Sequence, residues 1–76
     1  MPKLPVVSGE EAVRAFTRGG FRFRRQRSSH VQLADESGQI LLSVPVHSGE
    51  DLPPGTLRRL VSQSGLTVDE FRRLLK

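Results

Sequence analysis

Apolar residues recur at helical spacing near the start of the chain. Ala12, Val13 and Phe16 fall on one side of a helix, with Arg14, Thr17 and Arg18 outside that stripe. The segment Ser8–Glu11 is a capping box, in which the serine hydroxyl and the glutamate carboxylate each bind the other residue's backbone amide. Gly19-Gly20 follows and supplies a residue suited to left-handed backbone. This pattern predicts a first helix that ends at the glycine pair.

The helical period returns in the last third of the chain, after a loop that contains two prolines. An apolar stripe over residues 57–61 predicts a second helix, and Gly65 is placed to end it. The segment Thr67–Glu70 repeats the capping-box pattern, with Phe71 following as an apolar helix residue. We therefore predict a short extra helix at the carboxyl end.

Between these helices the hydrophobic period changes to two, which is typical of strands. Phe21 and Phe23 are predicted to face inward in the first strand. Arg22 and Arg24 alternate with them and are predicted to face outward. The same alternation over residues 30–33 predicts a second strand, with Val31 and Leu33 inward.

A turn at Asp35–Gly38 leads into a third strand, Ile40–Val44, which Pro45 is expected to end because proline cannot donate to a ladder. This strand is apolar at nearly every position, so we expect a partner to cover its outer face. The predicted class is α+β in the order α-β-β-β-α plus the short final helix. Strands joined by short connections form a three-stranded antiparallel sheet, with the helices on one face and the other face open.

The composition fits one small domain over residues 1–76. The chain has no cysteine, which excludes disulfides, thiol nucleophiles and thiolate metal sites. Twelve Lys and Arg residues outnumber eight Asp and Glu residues, giving a net charge of +4. Such an excess fits either a phosphate-bearing partner or an ordinary solvated surface. No apolar run approaches the roughly 20 residues of a membrane span, and the amino-terminal segment lacks signal-peptide features, so we expect a soluble cytoplasmic protein.

His30 is the leading candidate for catalysis. Alternation along the second strand places it opposite Val31 and therefore on the predicted arginine side of the sheet. RNA carries its own nucleophile, the 2′-hydroxyl, and an imidazole can exchange protons with it near neutral pH. An exposed histidine beside a loop is more often a bystander, so the alternation alone leaves both interpretations open.

Several neighbours can support this chemistry. Ser28 and Ser29 can donate to a phosphate oxygen or orient the ring, although turn residues are often serine for local reasons. His47 follows the third strand and can pair with His30 if the two strand ends meet; its alternative role is to anchor a loop. Two histidines without clustered carboxylates fall short of a three-ligand metal site, although Glu50 and Asp51 follow closely after His47, and we predict no metal and no cofactor. The candidate RNA-binding residues are Arg22, Arg24, Arg25 and Arg27.

Residues along nearly the whole chain also match the pattern of a known family. In chain order they are Gly20-Phe21, Arg25, Ser29-His30, Val44-Pro45-Val46-His47, Leu52, Gly55-Thr56-Leu57-Arg58, Leu60 and Gly65-Leu66. From Leu4 to Leu75 the chain resembles the HicA toxins of bacterial and archaeal toxin–antitoxin pairs.

The resemblance implies a fold similar to the double-stranded RNA-binding domain and ribosome-independent cleavage of messenger RNA by an endoribonuclease, which we expect to be metal-independent. It also implies neutralisation by a HicB-like antitoxin, and it assigns the catalytic histidine to His30. We expect the free toxin to be monomeric. The family usually has glycine before the Ser-His pair, where this chain has Ser28. A glycine there would suit a positive φ or a close approach of phosphate.

Two other functions use the same features. One is a non-catalytic RNA-binding module that reads the shape of its ligand. The other is a degenerate toxin that retains only antitoxin binding. Arginines concentrated around the first strand and the turn beside His30 favour a compact site over a groove-spanning footprint.

Overall fold

The fold is described by a computed structural model that covers residues 3–75. Its helices are α1 (Gly9–Arg18), α2 (Pro54–Ser64) and α3 (Val68–Arg73). Both predicted capping boxes are present: Ser8 and Glu11 exchange hydrogen bonds before α1, and Thr67 and Glu70 do so before α3. Gly65 ends α2 in the left-handed conformation, with φ of 81°. The helix signals in the sequence are therefore confirmed.

Three strands form an antiparallel sheet in the order β1-β2-β3. They are β1 (Arg22–Arg27), β2 (His30–Ala34) and β3 (Leu41–Pro45). The turn after β2 closes through the Asp35 carboxylate, which accepts from the Ile40 amide at 3.0 Å. The predicted α+β order and the three-stranded meander are confirmed.

The helices lie on one face of the sheet. α1 packs against β2 and β3, and α2 packs against β3. The buried cluster between the layers contains Phe16, whose ring lies 5.9 Å from that of Phe21 and 5.0 Å from that of Phe71. Three phenylalanines thus join α1, the start of the sheet and α3. The prediction of helices on one face is confirmed.

Two arginine side chains form hydrogen bonds that connect the α3 region to the remainder of the fold. Arg18 in α1 donates to the Leu74 carbonyl at 2.8 Å, and Arg72 donates to the Lys3 carbonyl at 3.0 Å. These bonds hold α3 against α1 and the amino-terminal segment. Within residues 3–75, no helix is both long and apolar enough to cross a membrane.

The prediction that both early phenylalanines are core residues is half wrong. Phe21 is buried, with 4% of its surface exposed, whereas Phe23 is 61% exposed. Phe23 does share the helix-facing side of the sheet, because it pairs with buried Leu33. The helices pack over β2 and β3, so the edge strand β1 extends past them. Alternation predicted the side of the sheet but not the extent of the helix layer.

Candidate functional site

The sheet face away from the helices carries most of the candidate residues, and we call it the open face. Cross-strand partners share a face, so the ladder register assigns each strand residue to one side. Val31, Leu33, Leu42 and Val44 are buried toward the helices, which leaves their neighbours on the other side. The open face therefore consists of Arg22, Arg25, Arg27, His30, Gln32, Ala34, Leu41, Ser43 and Pro45.

A β-bulge determines which arginines reach this face. Phe23 pairs with Leu33 but Arg25 pairs with Gln32, so Arg24 and Arg25 together stand opposite one residue of β2. Strict alternation would have placed Arg22 and Arg24 on the side of His30, as predicted. The extra residue shifts the remainder of β1 by one position. Arg22 keeps its predicted side, Arg24 occupies the bulge, and Arg25 and Arg27 join the open face.

His30 lies at the first position of β2, directly opposite Arg27. Opposite residues of an antiparallel pair have Cβ atoms about 4.5–5.5 Å apart. On its other side His30 pairs with Pro45, the last residue of β3. His30 is exposed, and Gln32 in the next row pairs with Arg25 and Ser43. One imidazole, three guanidiniums and two uncharged polar side chains thus share an accessible surface.

Ser28, in the turn before His30, stands where the family pattern usually has glycine. Ser28 has a φ of 54°, the one positive φ among the non-glycine residues of the described range 3–75. This left-handed conformation is the one that glycine adopts without a steric cost. The Ser29 carbonyl accepts from the Val46 amide at 2.6 Å, which fastens the turn to the chain just after β3. The turn is therefore held in a backbone shape that suits glycine.

His47 is placed close to the same end of the sheet but in a different setting. It lies two residues beyond Pro45, the partner of His30, so the strand ends meet as expected. Its carbonyl accepts from the Glu50 amide at 2.9 Å in a turn. The side chain lines a pocket of about 200 Å³ whose other residues are Pro45, Glu50, Asp51, Leu52, Pro53 and Thr56. His30 is not among the lining residues, so the histidines share one end of the sheet without sharing this pocket.

Gly9 is a contributor to the site that sequence reasoning missed. It is buried at the first turn of α1, and a Cβ built there would overlap the Pro45 carbonyl oxygen and lie 2.9 Å from Val46 Cα. α1 can approach the end of β3 this closely only because residue 9 has no side chain. The contact positions the strand end that faces His30. The sequence shows no local sign of it, because Gly9 and Pro45 are distant along the chain.

No group of three or more His, Asp or Glu side chains within residues 3–75 is arranged to hold a metal ion. The open face instead offers donors that are permanently charged, since arginine stays protonated at all ordinary pH values. Guanidinium groups bind phosphate oxygens through paired N–H donors. The chemistry available on this face is therefore anion binding by β1 beside a group that can transfer protons.

A family model described as the HicA toxin of bacterial toxin–antitoxin systems matches residues 9–66. The chain belongs to the HicA toxin family. The matched region runs from the first residue of α1 to the second residue after the end of α2, so it includes the whole sheet and His30. The amino-terminal segment and α3 lie outside it. Membership in a toxin–antitoxin family implies an antitoxin partner. The search of curated proteins found no match.

Proposed function

We propose that this HicA protein is an endoribonuclease that cleaves messenger RNA on the open face, with His30 as its catalytic residue. The observation that carries the proposal is the row formed by Arg27 and His30 on adjacent strands, with Arg25 in the next row. An RNA phosphate bound by these arginines comes within reach of the imidazole. Family membership supplies the toxin role, and the face supplies groups suited to the reaction.

The reaction is an internal transfer at phosphorus. His30 accepts the proton of a ribose 2′-hydroxyl while that oxygen attacks the adjacent phosphorus. The bond from phosphorus to the 5′-oxygen of the next nucleotide breaks, which leaves a 2′,3′-cyclic phosphate and, after protonation, a 5′-hydroxyl. Arg25 and Arg27 stabilise the negative charge that grows on the phosphate oxygens. Attack by the 2′-hydroxyl requires no metal or other cofactor.

The leaving oxygen requires a second proton carrier, because one imidazole cannot give and take a proton at the same instant. His47, two residues beyond the strand partner of His30, is proposed for this role, and water is the alternative. Ser28 and Ser29 are proposed to donate to the phosphate from the turn before His30. Arg22 and Arg24 extend the basic strand toward the remainder of the RNA.

The placement of charge favours the enzyme over a shape-reading module. A reader of double-stranded RNA needs basic groups on separate elements that span successive grooves. Here four of the six residues of β1 are arginine, and the strand borders the histidine. We further propose that the free toxin acts as a cytoplasmic monomer and that a HicB-like antitoxin inhibits it by covering the open face.

The enzyme, the module and the degenerate toxin are distinguished by measuring binding and cleavage in the same samples. Antitoxin-free protein is incubated with messenger RNA in EDTA, alongside His30→Ala and His47→Ala. The proposal predicts cleavage by the wild type, RNA binding without cleavage by His30→Ala, and reduced cleavage by His47→Ala if it supplies the second proton. Binding without cleavage by the wild type would identify a module. Neither binding nor cleavage would identify a degenerate toxin.

A further inference from the structure

Phe23 is an exposed aromatic ring in the most basic element of the fold. It is 61% exposed, and it lies between Arg22 and Arg24 on the edge strand β1. The three other phenylalanines are buried, and the chain has neither tryptophan nor tyrosine. Exposing a phenylalanine forgoes the burial that would stabilise the fold. Packing therefore does not explain this ring.

The ladder register places the ring beside the site but around the edge of the sheet from it. Phe23 pairs with Leu33 on the helix-facing side, whereas His30 belongs to the open face. Leu33 and His30 are three residues apart in β2, a separation of about 10 Å at 3.3–3.4 Å per residue. Arg24 lies in the bulge between the two positions, where the strand bends. A bound ligand strand that passes over the β1 edge can contact both sides of the sheet.

We propose that Phe23 is a base-stacking subsite for single-stranded RNA, which wraps over the edge of β1 a few nucleotides away from the scissile phosphate. Every nucleobase has a flat aromatic face, so stacking on a ring tolerates any sequence. The flanking arginines bind the phosphates on either side of the stacked base. The separation of about 10 Å runs along the strand, and the path over the edge adds to it. At about 3.4 Å per nucleotide, a stacked strand therefore needs at least about three nucleotides to join the two positions. This inference rests on the proposed function and adds a position for the substrate outside the open face.

Charge argues for RNA over a protein strand as the occupant. All six residues of β1 are exposed, none is acidic, and four are arginine. Arginines on an edge strand oppose pairing with another copy of the same strand by like-charge repulsion. A polyanion with aromatic bases satisfies the guanidiniums and the ring together, whereas a protein strand would need both carboxylates and an apolar pocket. Docking of the antitoxin on Phe23 is the competing outcome of the test.

The absence of tryptophan and tyrosine makes a direct measurement possible. In a His30→Ala chain, Phe23→Trp introduces the sole strongly fluorescent side chain at the proposed subsite. The probe is a ten-nucleotide single-stranded RNA of mixed sequence, and heparin is the base-free polyanion control. Val6→Trp is the matched control, because Val6 is 78% exposed and lies in the segment before α1. The proposal predicts that RNA quenches the fluorescence of Trp at residue 23, that heparin does not, and that Trp at residue 6 responds to neither.

Binding affinity gives an independent measurement. Phe23→Ala is expected to weaken RNA binding about 5- to 150-fold, the range that corresponds to loss of one stacked base. Phe23→Tyr keeps a ring and is expected to bind within about threefold of the wild type. Because Phe23 is exposed, both variants should melt close to the wild-type temperature. RNA binding without quenching, or equal binding by Phe23→Ala, would overturn the proposal. A Phe23→Ala variant that loses only its antitoxin would assign the ring to the protein partner.

The two proposals fail in different ways. Phe23→Ala in a chain that retains His30 is assayed for cleavage beside the wild type. If both proteins cleave equally at sub-saturating RNA, the stacking subsite is refuted while the endoribonuclease proposal stands. If the wild type does not cleave, the endoribonuclease proposal fails, and the quenching result alone decides whether Phe23 binds bases. A wild type that does not bind RNA contradicts both.

Discussion

Replacing Gly9 by alanine should destabilise this protein even though alanine is the better helix former. The added Cβ would overlap the Pro45 carbonyl oxygen and lie 2.9 Å from Val46 Cα. Both neighbours are backbone, so neither can move aside by a change of rotamer. Overpacking of this kind costs about 1–3 kcal/mol. The gain from replacing a helical glycine is about 0.5–1 kcal/mol.

A clash with rigid backbone lies in the upper part of that range, about 2–3 kcal/mol, so the net loss is about 1–2.5 kcal/mol, or a fall in Tm of roughly 4–20 °C for a domain of this size. Thermal unfolding followed by circular dichroism measures it directly. Gly55→Ala is the matched control, because Gly55 lies in the first turn of α2 and a Cβ there would meet nothing within 4 Å. That variant should gain about 0.4–1 kcal/mol. A Gly9→Ala protein as stable as the wild type would refute the close packing of α1 on the end of β3.

Three further predictions concern the turns and the basic strand. Ser28→Gly should stabilise the fold by about 0.5–1 kcal/mol in chemical denaturation, because it removes the cost of a left-handed serine; a loss of stability would contradict the strain. The Ile40 amide lowers the pKa of Asp35, so its contribution to stability is full above the ordinary pKa near 3.9 and is lost as pH falls through the lowered value. The stability gap between wild type and Asp35→Asn should therefore shrink from pH 5 to pH 2, and a constant gap would refute this. Arg27→Gln should slow RNA cleavage far more than Arg58→Gln, a change at an exposed residue of α2, and equal effects would argue against phosphate binding beside His30.

The parts of the fold that local chemistry dictates could be predicted from the sequence. A capping box needs only residues three apart, so Ser8 with Glu11 marked the start of α1 correctly. The turn that begins at Asp35 is closed by a hydrogen bond between residues five apart, so it too could be predicted from the local sequence. His30 lies on its predicted side of the sheet because the bulge is in β1, and the first four residues of β2 alternate as expected.

The parts that depend on distant contacts could not be predicted in the same way. The bulge moved Arg25 and Arg27 to the side of His30, and the one sequence hint is the unbroken polar run after Phe23, which departs from alternation. The exposure of Phe23 follows from where the helices end over the sheet, which no local pattern encodes. The contact between Gly9 and the end of β3 likewise joins segments far apart in the chain.

The central claim is that His30 carries out RNA cleavage on the open face. Its most direct measurement is the single-turnover rate constant for one defined messenger RNA, compared between antitoxin-free wild type and His30→Ala in EDTA. The account predicts a fall of about 10²- to 10⁴-fold, the usual contribution of a positioned acid–base group. It also predicts wild-type fragments that end in 2′,3′-cyclic phosphate. A His30→Ala protein that cleaves within a few-fold of the wild-type rate would contradict the account.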